Sequence, residues 1–159
     1  MSVDPDTFRA ALGRFATGVT IVTTKDADGA DWGMTVSAFS SVSLRPPLVM
    51  ASIGHEASMA PAMTNAEVFG VSILERGQEP LSRHFADTDA VRFEGVHFTR
   101  GRITGVALMN DALAWLECRV VQRVESGDHT LYIGDVISAA ARADHPLLYY
   151  RGGYAQLER

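Results

Sequence analysis

The chain has 159 residues, 47% hydrophobic and 21% charged, enough apolar material for one globular core, and a single domain over residues 1–159 is expected. Its 14 Lys and Arg against 19 Asp and Glu give a net charge of −5 with no basic run, which excludes the electrostatic footprint of a nucleic-acid or anionic-membrane binder. The single cysteine, Cys118, cannot close an internal disulfide, apolar stretches such as that around Leu48 to Ile53 fall far short of the roughly 20 residues a membrane helix needs, and the opening MSVDPDTFRAALGR lacks a signal peptide's basic and apolar regions; a cytoplasmic protein is expected.

Asp4 before Pro5 reads as a helix cap and first helical residue, and Phe8, Leu12 and Phe15 recur at helical spacing until Gly18. Val19 to Thr24, Thr35 to Val42, Leu48 to Ile53 and Val68 to Leu74 are short, rich in β-branched residues and bounded by turn formers such as Asp28-Gly29 and Pro46-Pro47, so they read as strands. Between the last two, Ser58 is expected to cap a short helix holding Met59, Ala62, Met63 and Ala66, with Pro61 tolerated in its first turn. Gln78 to Ala86 is a second short helix by its Leu81 and Phe85, four apart, whereas Asp87 to Arg102 has no periodicity and reads as a surface excursion.

Ala114 to Val124 and Thr130 to Ala139 are two long β-rich runs joined by the turn formers Glu125-Ser126-Gly127-Asp128, a hairpin, and a last strand is expected at Leu147 to Tyr150. About six or seven closely spaced strands with two or three short helices predict a mainly β fold: an antiparallel barrel with helices packed outside.

No Gly-rich phosphate loop, GxSxG elbow, HExxH pair or CxxC is present. The five histidines, His55, His84, His97, His129 and His145, are at least 13 residues apart and offer no helical pair of ligands, so no metal is expected. Cys118 lies in Trp115-Leu116-Glu117-Cys118-Arg119 and reads as a small inert hydrophobe. The segment Gly33-Met34-Thr35-Val36-Ser37-Ala38-Phe39-Ser40-Ser41-Val42-Ser43 is dense in small residues and hydroxyls. It reads either as an ordinary strand with a polar outer face or as a strand that a planar ligand approaches closely, its backbone and hydroxyl groups meeting the ring edge, and composition alone leaves both open. A helix start at Ser58 offers free N–H groups to a phosphate or caps only itself, and His129 at the hairpin is either an exposed turn residue or a side chain that stands over a bound ring.

Taken in order, Arg14-Phe15-Ala16-Thr17-Gly18-Val19-Thr20-Ile21-Val22-Thr23-Thr24, the Gly33 to Ser43 segment with Pro46-Pro47 after it, Phe69-Gly70-Val71-Ser72-Ile73-Leu74, Phe85-Ala86, Phe93-Glu94-Gly95-Val96, Gly127-Asp128-His129 and Arg151-Gly152-Gly153-Tyr154 resemble the short-chain flavin reductase family. These are FMN-binding split barrels that serve as reductase components of two-component flavin monooxygenases. The resemblance implies a homodimeric antiparallel split barrel that reduces FMN, or FAD, with NADH or NADPH and passes free reduced flavin to a separate monooxygenase. It also implies that Thr35, Val36, Ser37 and Ala38 meet the flavin ring and ribityl chain, that Ser52 contacts ring or chain, and that Ser58 holds phosphate with Arg92 near it. Phe85 and Ala86 would line the site, His129 would lie beside the nicotinamide, and Tyr154 would be the C-terminal aromatic near the flavin.

Hydride transfer between these two ring systems is their own chemistry, so no acid–base residue is obligatory. Two alternatives stand beside this reading: a flavin- or haem-binding split barrel without turnover, to which a nicotinamide contact at His129 would be useless, and a pyridoxamine-phosphate-oxidase-like enzyme, which expects more basic residues around a substrate phosphate than these segments hold.

Overall fold

The computed structural model describes residues 1–90 and 92–158. Val91, within the stretch read as an excursion, and Arg159 lie outside the described residues. The elements are α1 (Pro5–Leu12), β1 (Thr17–Gly18), β2 (Thr20–Lys25), β3 (Asp31–Val36), β4 (Phe39–Ser43), β5 (Leu48–Gly54), α2 (Ala60–Thr64), β6 (Val68–Ile73), α3 (Glu79–Ala86), β7 (Phe98–Arg100), β8 (Ala107–Met109), β9 (Ala114–Ser126), β10 (His129–Ala141), β11 (Leu148–Tyr150) and β12 (Gly153–Ala155), with a 3-10 turn at Arg76–Gln78. No described helix is long and apolar enough to cross a membrane.

Asp4 caps α1 by accepting the Thr7 amide and hydroxyl at 2.8 and 2.9 Å. The spacing of Phe8, Leu12 and Phe15 predicts a helix reaching Gly18, but α1 ends at Leu12. The Gly13 carbonyl accepts the Arg151 amide at 2.9 Å, which draws the chain away into β1 and its pairing with β11. Phe15 is left 74% exposed.

Most strands form one antiparallel sheet of seven in the order β3-β2-β6-β9-β10-β5-β4. A single buried cluster takes Val36 from edge strand β3, Val22, Phe69 and Val71 from the middle, and Val49, Ala51 and Ile53 from β5 near the opposite edge, with Met59 and Met63 closing it. One core reaching both ends of the strand order requires the sheet to curl, and β3 and β5 do approach each other. At the centre Gly134 leaves the room that Phe69 fills: a Cβ there would stand 2.6 Å from the Phe69 ring.

β2 is buried on both faces, which explains its unusual Thr-Ile-Val-Thr-Thr-Lys sequence. Val22 joins the first cluster, and Ile21 joins a second with Val19, Leu74, Phe85, Ala107, Met109 and Leu147. Its threonines stay satisfied because Thr20, Thr23 and Thr24 donate to the carbonyls of Val36, Ala107 and Val68 at 2.7, 2.6 and 2.8 Å.

Four further expectations are corrected. Thr35 to Val42 is two strands: the chain leaves the ladder at Ser37 and Ala38, so β3 and β4 stand at opposite edges. Ser58 caps nothing, because the short α2 starts at Ala60 and has no side-chain cap. The excursion carries β7, which forms a hairpin with β8. A further strand, β12, follows Arg151-Gly152 and completes the small sheet β1-β11-β12.

Candidate functional site

The break between β3 and β4 organises the candidate residues into two groups. In the first, the Ala38 carbonyl accepts the Ser52 amide at 3.0 Å, and the Ser37 carbonyl accepts the Phe39 amide at 2.9 Å. Along β5 the side chains alternate, with Val49, Ala51 and Ile53 inward and Ser52 and Gly54 outward. The β5–β10 register sets Ser52 opposite Leu131 and Gly54 opposite His129, so Ser52 and His129 share the outer face, two residues apart. The structure therefore brings Ala38 beside Ser52 and sets His129 two positions further along the same outer face, with Ser37 half-buried and Ala38 exposed.

His129 is held from behind. Its Nδ1 lies 2.7 Å from Asp128 Oδ1, an arrangement that makes Nδ1–H the donor and leaves Nε2 free. The hydrogen bond from His129, then its charge, holds the Asp128 carboxyl below the ordinary carboxylate range. The hairpin tip is fastened to the end of β5 by the His55 amide on the Asp128 carbonyl at 2.9 Å and by His55 Nε2 against Glu125 at 2.8 Å. The turn between the strands depends on Gly127, whose φ of 62° is left-handed.

The second group is centred on α3. The Thr35 hydroxyl donates to the Ser82 carbonyl at 2.6 Å, and Ser82 Oγ lies 2.6 Å from the Tyr154 hydroxyl. The Arg83 guanidinium covers the Tyr154 ring at 4.9 Å from its centroid, and Tyr149 meets that ring edge-on at 5.5 Å. Thr35 and Tyr154 are thus joined through Ser82, a residue that sequence reasoning missed. Nothing local marks it, since a serine inside a short helix has many uses and this one is defined by partners 47 and 72 residues away.

The remaining candidates stand apart. The Val36 side chain is 4% exposed and faces the first core cluster, so only the backbone there is available to a ligand, and the carbonyl already accepts Thr20. Phe85 is buried in the second cluster, edge-on to Phe93 at 5.3 Å, while Ala86 is exposed at the end of α3. Ser58 is exposed in the turn before α2. Arg92 receives His84 on its carbonyl at 2.8 Å, and its Nε is buried without a hydrogen-bond partner among the described residues, a donor suited to an anionic group. Among the described residues, neither Ser58 nor Arg92 shares a hydrogen bond with Ala38, Ser52, His129, Thr35, Ser82 or Tyr154.

Cys118 is fully buried, and burial, then the Asp135 and Glu117 carboxylates, push its thiol up to about 12, which makes it inert at neutral pH. A cavity of about 530 Å³ lined in part by Leu108, Asn110, Trp115, Glu117 and Ser138 includes none of the candidate residues.

A mainly antiparallel sheet with a break between its two edge strands, an outward serine beside that break and a hairpin-tip histidine is the setting in which the family comparison is decisive. Residues 12–158 match the model of the flavin reductase like domain, and the chain belongs to that family. It is 46% identical over 158 residues to an NADH-dependent flavin reductase from a Rhodococcus species, covering 98% of this chain and 88% of that protein. It is 38% identical over 153 residues to the reductase component of a Thermus thermophilus 4-hydroxyphenylacetate 3-monooxygenase, covering 96% of each. An NADH:FAD oxidoreductase from Streptomyces globisporus, solved with NAD and FAD fragments, superposes with a TM-score of 0.91 at 39% identity over 99% of this chain and 96% of that one.

Proposed function

We propose that this protein is an NADH:flavin oxidoreductase that reduces FMN or FAD and releases the reduced flavin to a separate monooxygenase. The observation that carries the reading is the placing of Ala38 beside Ser52, with His129 on the same outer face, where the strand leaves its ladder, in a chain whose relatives are named for this reaction. The Thermus relative is named as one half of a two-component monooxygenase, which supports a partner oxygenase here. NADH is favoured over NADPH because the names of the Rhodococcus and Streptomyces proteins specify it. These names also favour a reductase over a passive carrier or a pyridoxamine-phosphate-oxidase-like enzyme.

When both are bound, the nicotinamide supplies a hydride and the flavin accepts it. The chain's own task is to bind and orient the two rings and keep water away. Ser37, Ala38 and Ser52 offer short side chains and backbone groups to a ring edge, and Tyr154, anchored to Ser82, offers an aromatic side. The unpartnered Arg92 Nε fits a phosphate, with Ser58 as a further hydroxyl donor. His129, its Nδ1 fixed by Asp128, orients the nicotinamide through the free side of its ring.

The domain in this reading is one unit over residues 1–159, a split barrel supported by the curled sheet, and it works in the cytoplasm, where NADH is supplied. The outward residues Met50, Leu131 and Ile133 are half-buried and apolar, which supports a homodimer closing over that face. The test is NADH oxidation by the purified protein with and without FMN or FAD. Turnover that requires added flavin is expected, and a protein that oxidises NADH with neither flavin is not a reductase.

A further inference from the structure

Ser82 is fully buried in α3, where alanine would suit a helix better and a hydroxyl without a partner would cost stability. Two of its polar atoms reach two different segments. The carbonyl receives the Thr35 hydroxyl, and the hydroxyl meets Tyr154, both at 2.6 Å. The Tyr154 ring is fixed on two further sides, by the Arg83 guanidinium over its face and by Tyr149 at its edge. Arg83 is itself held by Glu79 at 3.0 Å, one helical turn back. With the ring held by these contacts, its hydroxyl meets Ser82 Oγ at 2.6 Å.

From this geometry we infer that Ser82 is a positioning residue for the flavin site: it sets Tyr154 at a fixed distance from the Thr35 strand, and so the shape offered to the flavin ring. The inference rests on the reading of Ser37, Ala38 and Tyr154 as flavin contacts. Ser82 touches neither flavin nor nicotinamide and acts only through those residues. The Ser82 and Tyr154 hydroxyls form one bond, so removing either breaks it, and removing both breaks no further bond between them.

The experiment compares the full-length wild type with Ser82→Ala, Tyr154→Phe and the double variant, reading FMN affinity by fluorescence quenching without NADH, then KM for FMN and for NADH. Each single variant is expected to weaken FMN binding and raise its KM about fivefold, while KM for NADH stays within about twofold, and the double variant matches the singles. A general loss of structure would move both KM values, so the split separates positioning from folding. Wild-type FMN affinity in Ser82→Ala, or additive losses in the double variant, overturns the inference. If Ser82→Ala does not fold, Tyr154→Phe removes the same bond from the other side, and wild-type affinity there overturns it equally. A wild-type chain that binds no flavin overturns the functional reading and this inference with it, whereas a flavin-binding wild type beside an unchanged Ser82→Ala overturns this inference alone.

Discussion

Glu117 and Asp128 both titrate below the ordinary carboxylate range, but Glu117 is 4% exposed within the sheet whereas the Asp128 side chain is 95% exposed at the tip of the β9–β10 hairpin. Burial alone would push Glu117 up. The Thr104 hydroxyl and amide and the Ile103 amide, all donating to Oε1 at 2.7 to 3.1 Å, outweigh it. Asp128 is lowered instead by His129, through a hydrogen bond and then its charge. The first carboxylate answers neutral donors from a loop it fastens to the sheet, and the second answers a side chain that water and salt also reach. Shifts in the same direction thus come from a buried anchor of the scaffold in one place and from an exposed, salt-accessible pair in the other.

The largest expected effect comes from the buried partner. Glu117→Ala strands two amides and a hydroxyl, and is expected to cost about 2–3 kcal/mol in urea unfolding. Glu117→Gln, which keeps an acceptor, should cost less. Because the folded carboxyl titrates below its unfolded value of roughly 4.3, its stabilisation is present above that pH and is lost as pH falls through the folded value. The urea midpoint of Glu117→Gln is therefore expected to fall less steeply than that of the wild type between pH 5 and pH 3, taken as approximate limits. Equal slopes would show that the carboxylate is not what fastens the loop.

At the tip the order reverses, with function affected and stability spared. His129→Ala is expected to raise KM for NADH about tenfold, equivalent to ~1.4 kcal/mol of binding, with unfolding free energy within about 0.5 kcal/mol of wild type. Unchanged KM and turnover would remove His129 from the nicotinamide site, and a large loss of stability would make the tip scaffold like Glu117.

How much of this was legible in the sequence depends on the range of the interactions involved. The β9–β10 hairpin and its Gly127 turn are local, and β-propensity with turn chemistry finds them. The Gly33 to Ser43 segment advertised itself by its hydroxyls, but its break at Ser37 and Ala38 is set by Ala38 reaching Ser52 on β5, which no window along the chain contains. β7 and β8 are too short for a period to show, and are ordered by the buried Thr23 hydroxyl donating to the Ala107 carbonyl and by packing on the second core. The spacing of Leu81 and Phe85 marks α3, but the resemblance sets Phe85 in the flavin site, whereas the structure buries its side chain in the second core, a placement made by Val19, Leu74 and Leu147 from distant segments. The Ser82 link was invisible because its meaning lies in Thr35 and Tyr154 together.

Asp128→Asn gives the smallest expected effect and the sharpest test of the contrast between the two carboxylates. The amide oxygen of Asn still accepts from His129 Nδ1, so the ring keeps its orientation and only the charge is lost. At an exposed site that charge is screened within about 10 Å at 0.1 M salt. KM for NADH should therefore change by no more than about twofold in dilute buffer, and the difference should vanish as salt is raised. Wild-type behaviour is lost in the same sense on acidification, because Asp128 is charged above its lowered pKa and neutral below it. If Asp128→Asn proves as damaging as His129→Ala at every salt concentration, the histidine's orientation depends on an unscreened charge, and the tip belongs with Glu117 as fixed structure.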